Sequence, residues 1–175
     1  MARNPILTLS QEGIQRRYTE TKSMVLDGSN ATDVTALFRV TGTVKIVALY
    51  GIVTTVLSSN VTAAHWRTND QTATLPISAA AGTTLSSHAV GSLLTRKSLV
   101  SVALTADNAS AAKVTDPVAA TAPDVAMPFI VTQKTGGVNT DIEFVYTTTN
   151  TPASGAIKHY CIFEPITEDG DVRAL

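Results

Sequence analysis

VTALFRVTGTVKIVALY, residues Val34 to Tyr50, contains the fold in miniature. Val34, Ala36, Phe38 and Val40 alternate with Thr35, Leu37 and Arg39, the two-residue period of a half-buried strand. Thr41-Gly42-Thr43 supplies a turn, after which Val44, Ile46, Ala48 and Tyr50 resume the period. A second run follows from Ile52 to Leu57, and the apolar stretch reads as two strands meeting at Gly51. At 14 positions, interrupted by Lys45, Gly51, Thr54 and Thr55, Val44 to Leu57 is too short and too polar for a spanning helix of about 20 apolar residues.

The same pattern recurs outward from this stretch. Strands are expected at Thr72 to Ile77, Ser98 to Thr105, Met127 to Thr132, Asp141 to Thr147 and Ala156 to Phe163. Ile142, Phe144 and Tyr146 share one face of the fourth of these, and Ile157, His159, Cys161 and Phe163 share one face of the last. Thr148 to Gly155 between them suits a hairpin with a long tip, and Gly136-Gly137 suits a turn. The polar stretch from His65 to Gln71, with the single tryptophan Trp66, reads as a loop. Ala106 to Pro128, broken by Pro117 and Pro123, reads as a long loop or extended strap. Helical periodicity is missing, since the alanine runs at 79–81 and 109–112 are short and stopped by Gly, Asn, Asp and Pro.

Composition agrees with a β-rich module. The chain has 175 residues, enough to bury roughly 70 % of its unfolded surface without disulfide or metal. Threonine occurs 27 times against nine aromatic residues, and only 15 % of residues are charged. The net charge of −1 lacks the basic surplus with which nucleic-acid binders meet phosphates. One cysteine, Cys161, makes neither an internal disulfide nor a cysteine-built metal site. The apolar start at Ile6-Leu7 stops too soon for a secretion signal, so the expectation is a chain made in the cytoplasm, with no membrane partner.

These readings give an all-β chain: an antiparallel β-sandwich or jelly-roll-like body, an extended N-terminal arm and a short C-terminal tail. The arm is placed at residues 1–23, the body at 24–163 and the acidic tail at 164–175, where Pro165 ends the last strand because it has no N–H to donate.

Candidate chemistry is sparse. Ser87 beside His88 is the one hydroxyl–imidazole neighbour pair, without the Gly-x-Ser-x-Gly turn that would strain and expose a nucleophile. His159 and Cys161 lie two apart on one strand face, where a thiolate–imidazole pair or two metal ligands could form; inward-facing core residues are the plainer reading. Glu168-Asp169-Gly170-Asp171 lacks the alternating acids of a calcium loop. No catalytic residue, metal ligand or cofactor is therefore expected. The residues expected to work are interface candidates: Arg3, Arg16 and Arg17 of the arm, the last two able to pair bidentately with carboxylates, and Trp66 as an anchor.

The closing segment from Gly155 to Asp171, GAIKHYCIFEPITEDGD, resembles the last strand and terminus of small virion proteins of tailed bacteriophages, and the strand pair from Phe38 to Leu57 is similar in kind. The resemblance implies a capsid decoration (cement) protein or related head component, commonly a homotrimer, that binds the major capsid protein in the virion. Its alternative is a tail or fibre component that recognises a host glycan through Trp66, with Asn69 and Asp70 as hydrogen-bonding partners. A small hydrolase or metal enzyme is the third reading.

Overall fold

A computed structural model describes residues 17–28, 32–58, 60–79, 84–96, 103–107, 128–148 and 152–175. Among these residues eleven strands run in chain order: β1 (Tyr18–Val25), β2 (Thr32–Thr41), β3 (Thr43–Thr55), β4 (Val61–Asn69), β5 (Thr74–Pro76), β6 (Leu93–Thr95), β7 (Thr105–Asp107), β8 (Phe129–Thr132), β9 (Thr140–Thr148), β10 (Ala156–Pro165) and β11 (Asp171–Ala174). They form two antiparallel sheets packed as a sandwich, and no helix occurs among the described residues. The first sheet has the order β1-β10-β3-β6-β7, with β8 also paired to β3; the second has the order β11-β2-β9-β4-β5. The long β3 joins β10 along one edge, while its other edge is shared between β8 at Thr43–Ile46 and β6 at Tyr50–Ile52.

Alternation places the core as the sequence implies in the last two long strands. Ile142, Phe144 and Tyr146 of β9 and Ile157, His159, Cys161 and Phe163 of β10 are all at most 1 % exposed. In β2 and β3 the alternation breaks. Leu37 is an extra residue between the pairs Ala36–Glu143 and Phe38–Ile142, so Leu37, Phe38 and Val40 are buried while Val34 is exposed. Val47 is likewise extra between Ile46–Phe163 and Ala48–Ile162. Such a bulge reverses which residues point inward. Val44 and Ile46 enter the core before it, Leu49 and Val53 after it, and Ala48 and Tyr50 turn to the outside. The four residues of each sequence-stretch do not share one face.

Further expectations change. Gly51 is not a junction of two strands; β3 passes straight through it. A Cβ at Gly51 would lie 3.0 Å from Ile157 Cγ2 and 3.1 Å from His159 Nδ1, so the position is kept bare for close sheet packing. The stretch around Trp66 is strand β4, not a loop, because its polar residues face outward while Trp66 faces the core. β9 and β10 belong to opposite sheets, so they do not form a hairpin. Periodicity reveals a strand but not its sheet. The turn at Gly136-Gly137 is present, with both residues at positive φ.

The arm and tail boundaries also move. Residues 18–23, assigned to the arm, belong to β1, which pairs with β10 from Tyr18–Phe163 to Val25–Ala156. Its inward positions are Tyr18, Glu20, Lys22 and Met24, two of them charged, so no apolar alternation marks the strand in the sequence. The acidic tail contributes β11, paired with β2 from Asp171–Thr41 to Ala174–Phe38. Pro165 does end β10, as expected, but the following turn pins the corner between sheets. The Thr43 carbonyl accepts from the Ile166 and Thr167 amides at 2.9 and 3.2 Å, and Thr167 Oγ1 accepts from the Thr43 amide at 2.8 Å. The arm proper at residues 1–16, residues 98–102 of the expected Ser98 strand and residues 108–127 of the expected strap lie outside the described residues.

Gly42 makes that corner alone, stepping from β2 into β3 at φ +58°. A Cβ there would lie 2.5 Å from Asp169 Oδ1 and 2.8 Å from the Asp169 carbonyl carbon. Gly136 has φ +88° with nothing within 4 Å of its Cβ position. Gly42→Ala is therefore expected to lower the unfolding free energy by about 2–4 kcal/mol, the left-handed penalty plus overpacking, and Gly136→Ala by only about 1–2 kcal/mol. Urea unfolding of the two variants measures the difference.

Candidate interaction face

The two outer faces of the sandwich differ in chemistry. On the second sheet, Arg39 grips Asp141 with two bonds of 2.9 and 3.1 Å. Beside it Glu143 accepts from Arg67 at 2.7 Å and from Asn69 at 2.8 Å. This is an ionic, water-facing surface whose charges are matched within the protomer.

The first sheet presents an apolar strip instead. Tyr50 and Tyr160, directly opposite on β3 and β10, stack with centroids 4.8 Å apart and planes within 6°. Ala48 lies opposite Ile162, and Ile52 lies between Lys158 and Leu93. All of these are half-buried. Directly opposite residues share a face, so Thr19, Thr21 and Thr95 flank the strip. The Val47 bulge creates it: without the extra residue Tyr50 and Ile52 would point into the core. Burial, and then the neighbouring Tyr160, raise the Tyr50 phenol above its ordinary range, so Tyr50 stays uncharged at neutral pH.

Cations rim this strip. Lys158 Nζ lies 5.4 Å from the Tyr160 ring centroid. At the end of the row Glu164, with a side chain only 3 % exposed, accepts from Arg17 at 2.8 Å and Lys45 at 3.0 Å. Those two bonds, Arg17's first, hold its carboxyl below the usual carboxylate range. Arg17, an interface candidate from the sequence, thus stands at the edge of this face with its side chain 65 % exposed. Arg3 and Arg16 lie outside the described residues.

Trp66 is not an interface anchor on this chain. It is fully buried, tilted against Phe144 at 5.8 Å and edge-on to His159 at 6.0 Å. Its indole Nε1 donates to His159 Nδ1 at 3.4 Å across the two sheets. Indole only donates, so the imidazole proton sits on Nε2, which faces Met24 Sδ at 3.1 Å. Burial pushes His159 down to about 3, leaving it neutral at physiological pH. Cys161 is buried too, and burial, with Glu20 nearby, pushes its thiol up to about 12. A protonated thiol sealed in a core is not a nucleophile.

The other sequence candidates resolve as parts of turns. Ser87 is exposed at φ +59°, and the His88 Nδ1 donates to the Ser86 carbonyl at 3.2 Å. Among the described residues no group of three or more His, Cys, Asp or Glu side chains is placed to hold a metal. Asp70 caps its own turn, accepting from the Thr72 and Ala73 amides at 2.9 and 2.6 Å. A groove of about 360 Å³ lies beyond it, between β5 and β8, with Leu75 and Ile130 exposed on its walls. Comparison with protein-family models, curated proteins and solved structures finds no match to this chain.

Two measurements check this assignment of buried groups. Trp66→Ala should cost about 3–5 kcal/mol of stability, as for other buried large-to-small changes, and native Trp66 fluorescence should be blue-shifted relative to the urea-unfolded chain. Unfolding frees His159 to bind a proton below its ordinary value of 6.5, while the folded ring resists protonation down to about 3. Stability therefore falls as pH drops through that window, by about 1.4 kcal/mol per pH unit once well below the upper limit. Between pH 7 and pH 5 the wild type should lose about 2 kcal/mol more than His159→Leu, in paired urea titrations.

Proposed function

We propose that this chain is a non-enzymatic structural protein of a phage particle that binds the outer capsid surface and stabilises the head. The observation that carries a surface-acting protein is the contrast between faces: an uncharged Tyr50–Tyr160 strip with a cationic rim on one sheet, and internally matched ion pairs on the other. Proteins that work by docking use apolar, aromatic patches bordered by charge. The phage assignment rests on the resemblance of residues 155–171. That segment builds the outer strand face through Lys158, Tyr160 and Ile162 and the pinned corner through Ile166 and Thr167.

The chemistry-bearing residues support a surface role by their placement. His159 and Cys161 are fixed in the core, and Trp66 is fully buried. The glycan-recognition alternative needed Trp66 to stack on a sugar, with Asn69 and Asp70 beside it. Asn69 is instead bonded to Glu143, and Asp70 to its own turn. Nothing here favours that reading over the first.

Quantitative mass spectrometry of purified particles tests the proposal. The expected result is a copy number comparable to that of the major capsid protein, and heads stripped of this chain that rupture at lower temperature. A few copies confined to tails, with binding on a glycan array, would transfer the chain to the alternative.

A further inference from the structure

We infer that the apolar strip of the first sheet receives the turn at residues 166–171 of a second copy, so that copies join head to tail. The inference rests on the particle reading only for its biological setting; the contact is argued from charge and exposure. The strip's face carries three cations, Arg17, Lys45 and Lys158, against one carboxylate, Glu164, among the described residues. The turn after β10 is the opposite: Glu168 and Asp169 are exposed, and Ile166 beside them is 52 % exposed. An exposed aliphatic side chain flanked by acids complements an aromatic strip flanked by bases.

Within one protomer the turn adjoins the Lys45–Glu164 end of the face but is not at the strip's centre. The 166–171 turn is held at the Gly42 corner by Thr41, Thr43 and Thr167, whereas the strip's centre at Tyr50 and Tyr160 is further along β3 and β10. The turn is also rigidly presented: Gly170 packs so closely that a Cβ would lie 2.5 Å from the Thr43 carbonyl oxygen. A contact between two different surfaces of identical chains is heterologous, and it closes into a ring when the rotation per step divides the circle. The homotrimer implied by the resemblance is one such ring.

Sedimentation velocity and light scattering across micromolar concentrations, at low and high salt, provide the test. The expected species is a closed oligomer that weakens as salt rises, because rim charges are screened. Lys158→Glu and Glu168→Lys should each weaken association by about tenfold or more, and the double variant K158E/E168K should recover it. Trp66 fluorescence, which reports the distant core, should be unchanged in all three. A monomer at every concentration would overturn the inference, as would charge reversals without effect or a double variant no better than the singles. The particle reading fails separately, if the wild type is missing from purified particles. A chain that decorates particles as a monomer would sink this contact and leave that reading standing.

Discussion

Trp66 and His159 meet in the middle of the sandwich, one from each sheet, and the surrounding packing is arranged around that pair. The imidazole is fully buried without a carboxylate beside it, so it must stay neutral and must find partners for both nitrogens. The indole supplies the donor on one side and the Met24 thioether the soft acceptor on the other. Phe144 lies 4.9 Å from the ring centroid, and Gly51 leaves room beneath it. A polar contact in such a place favours one register, since sliding β4 by one residue would turn Trp66 out of the core and leave the buried His159 Nδ1 without its donor.

The bulges do the complementary work on the outside. Each inserts a residue into a long strand and exchanges its two faces halfway along. The Leu37 bulge brings Leu37 and Phe38 into the core together, and the Val47 bulge turns Tyr50 out against Tyr160. One surface of the sandwich thereby becomes ionic and self-satisfied while the other retains apolar side chains that the described residues leave half-buried.

Much of this architecture is legible in the sequence, and the exceptions have physical causes. Ile142 to Tyr146 and Ile157 to Phe163 are read correctly because they alternate without interruption and both lie in sheet interiors. Val34 to Tyr50 is recognised as strand, but its faces are misassigned, because no side-chain pattern distinguishes a bulged Leu37 from a regular one. Trp66 is misread because a central strand whose outer face forms salt bridges is as polar in sequence as a loop: Arg67 and Asn69 are there to meet Glu143. The interaction strip is invisible for the same reason as the bulges. Arg17 alone among the described interface candidates lies beside it, and its charge, not its neighbours, is what the sequence displays.

β1 and β11, the first and last strands among the described residues, are built into the sandwich at long range. Tyr18 pairs with Phe163, the Leu26 amide donates to the Gly155 carbonyl, and β2 is enclosed by β9 on one side and β11 on the other. During synthesis the earliest strands therefore emerge without any of these partners. They remain incomplete until β10 and β11, far along the sequence, have been translated. Closure of the sandwich consequently depends on contacts far apart in sequence and is slow by the standards of locally connected folds. Until it happens, strands β1 to β3 have unpaired edges that chaperones or neighbouring nascent chains can occupy.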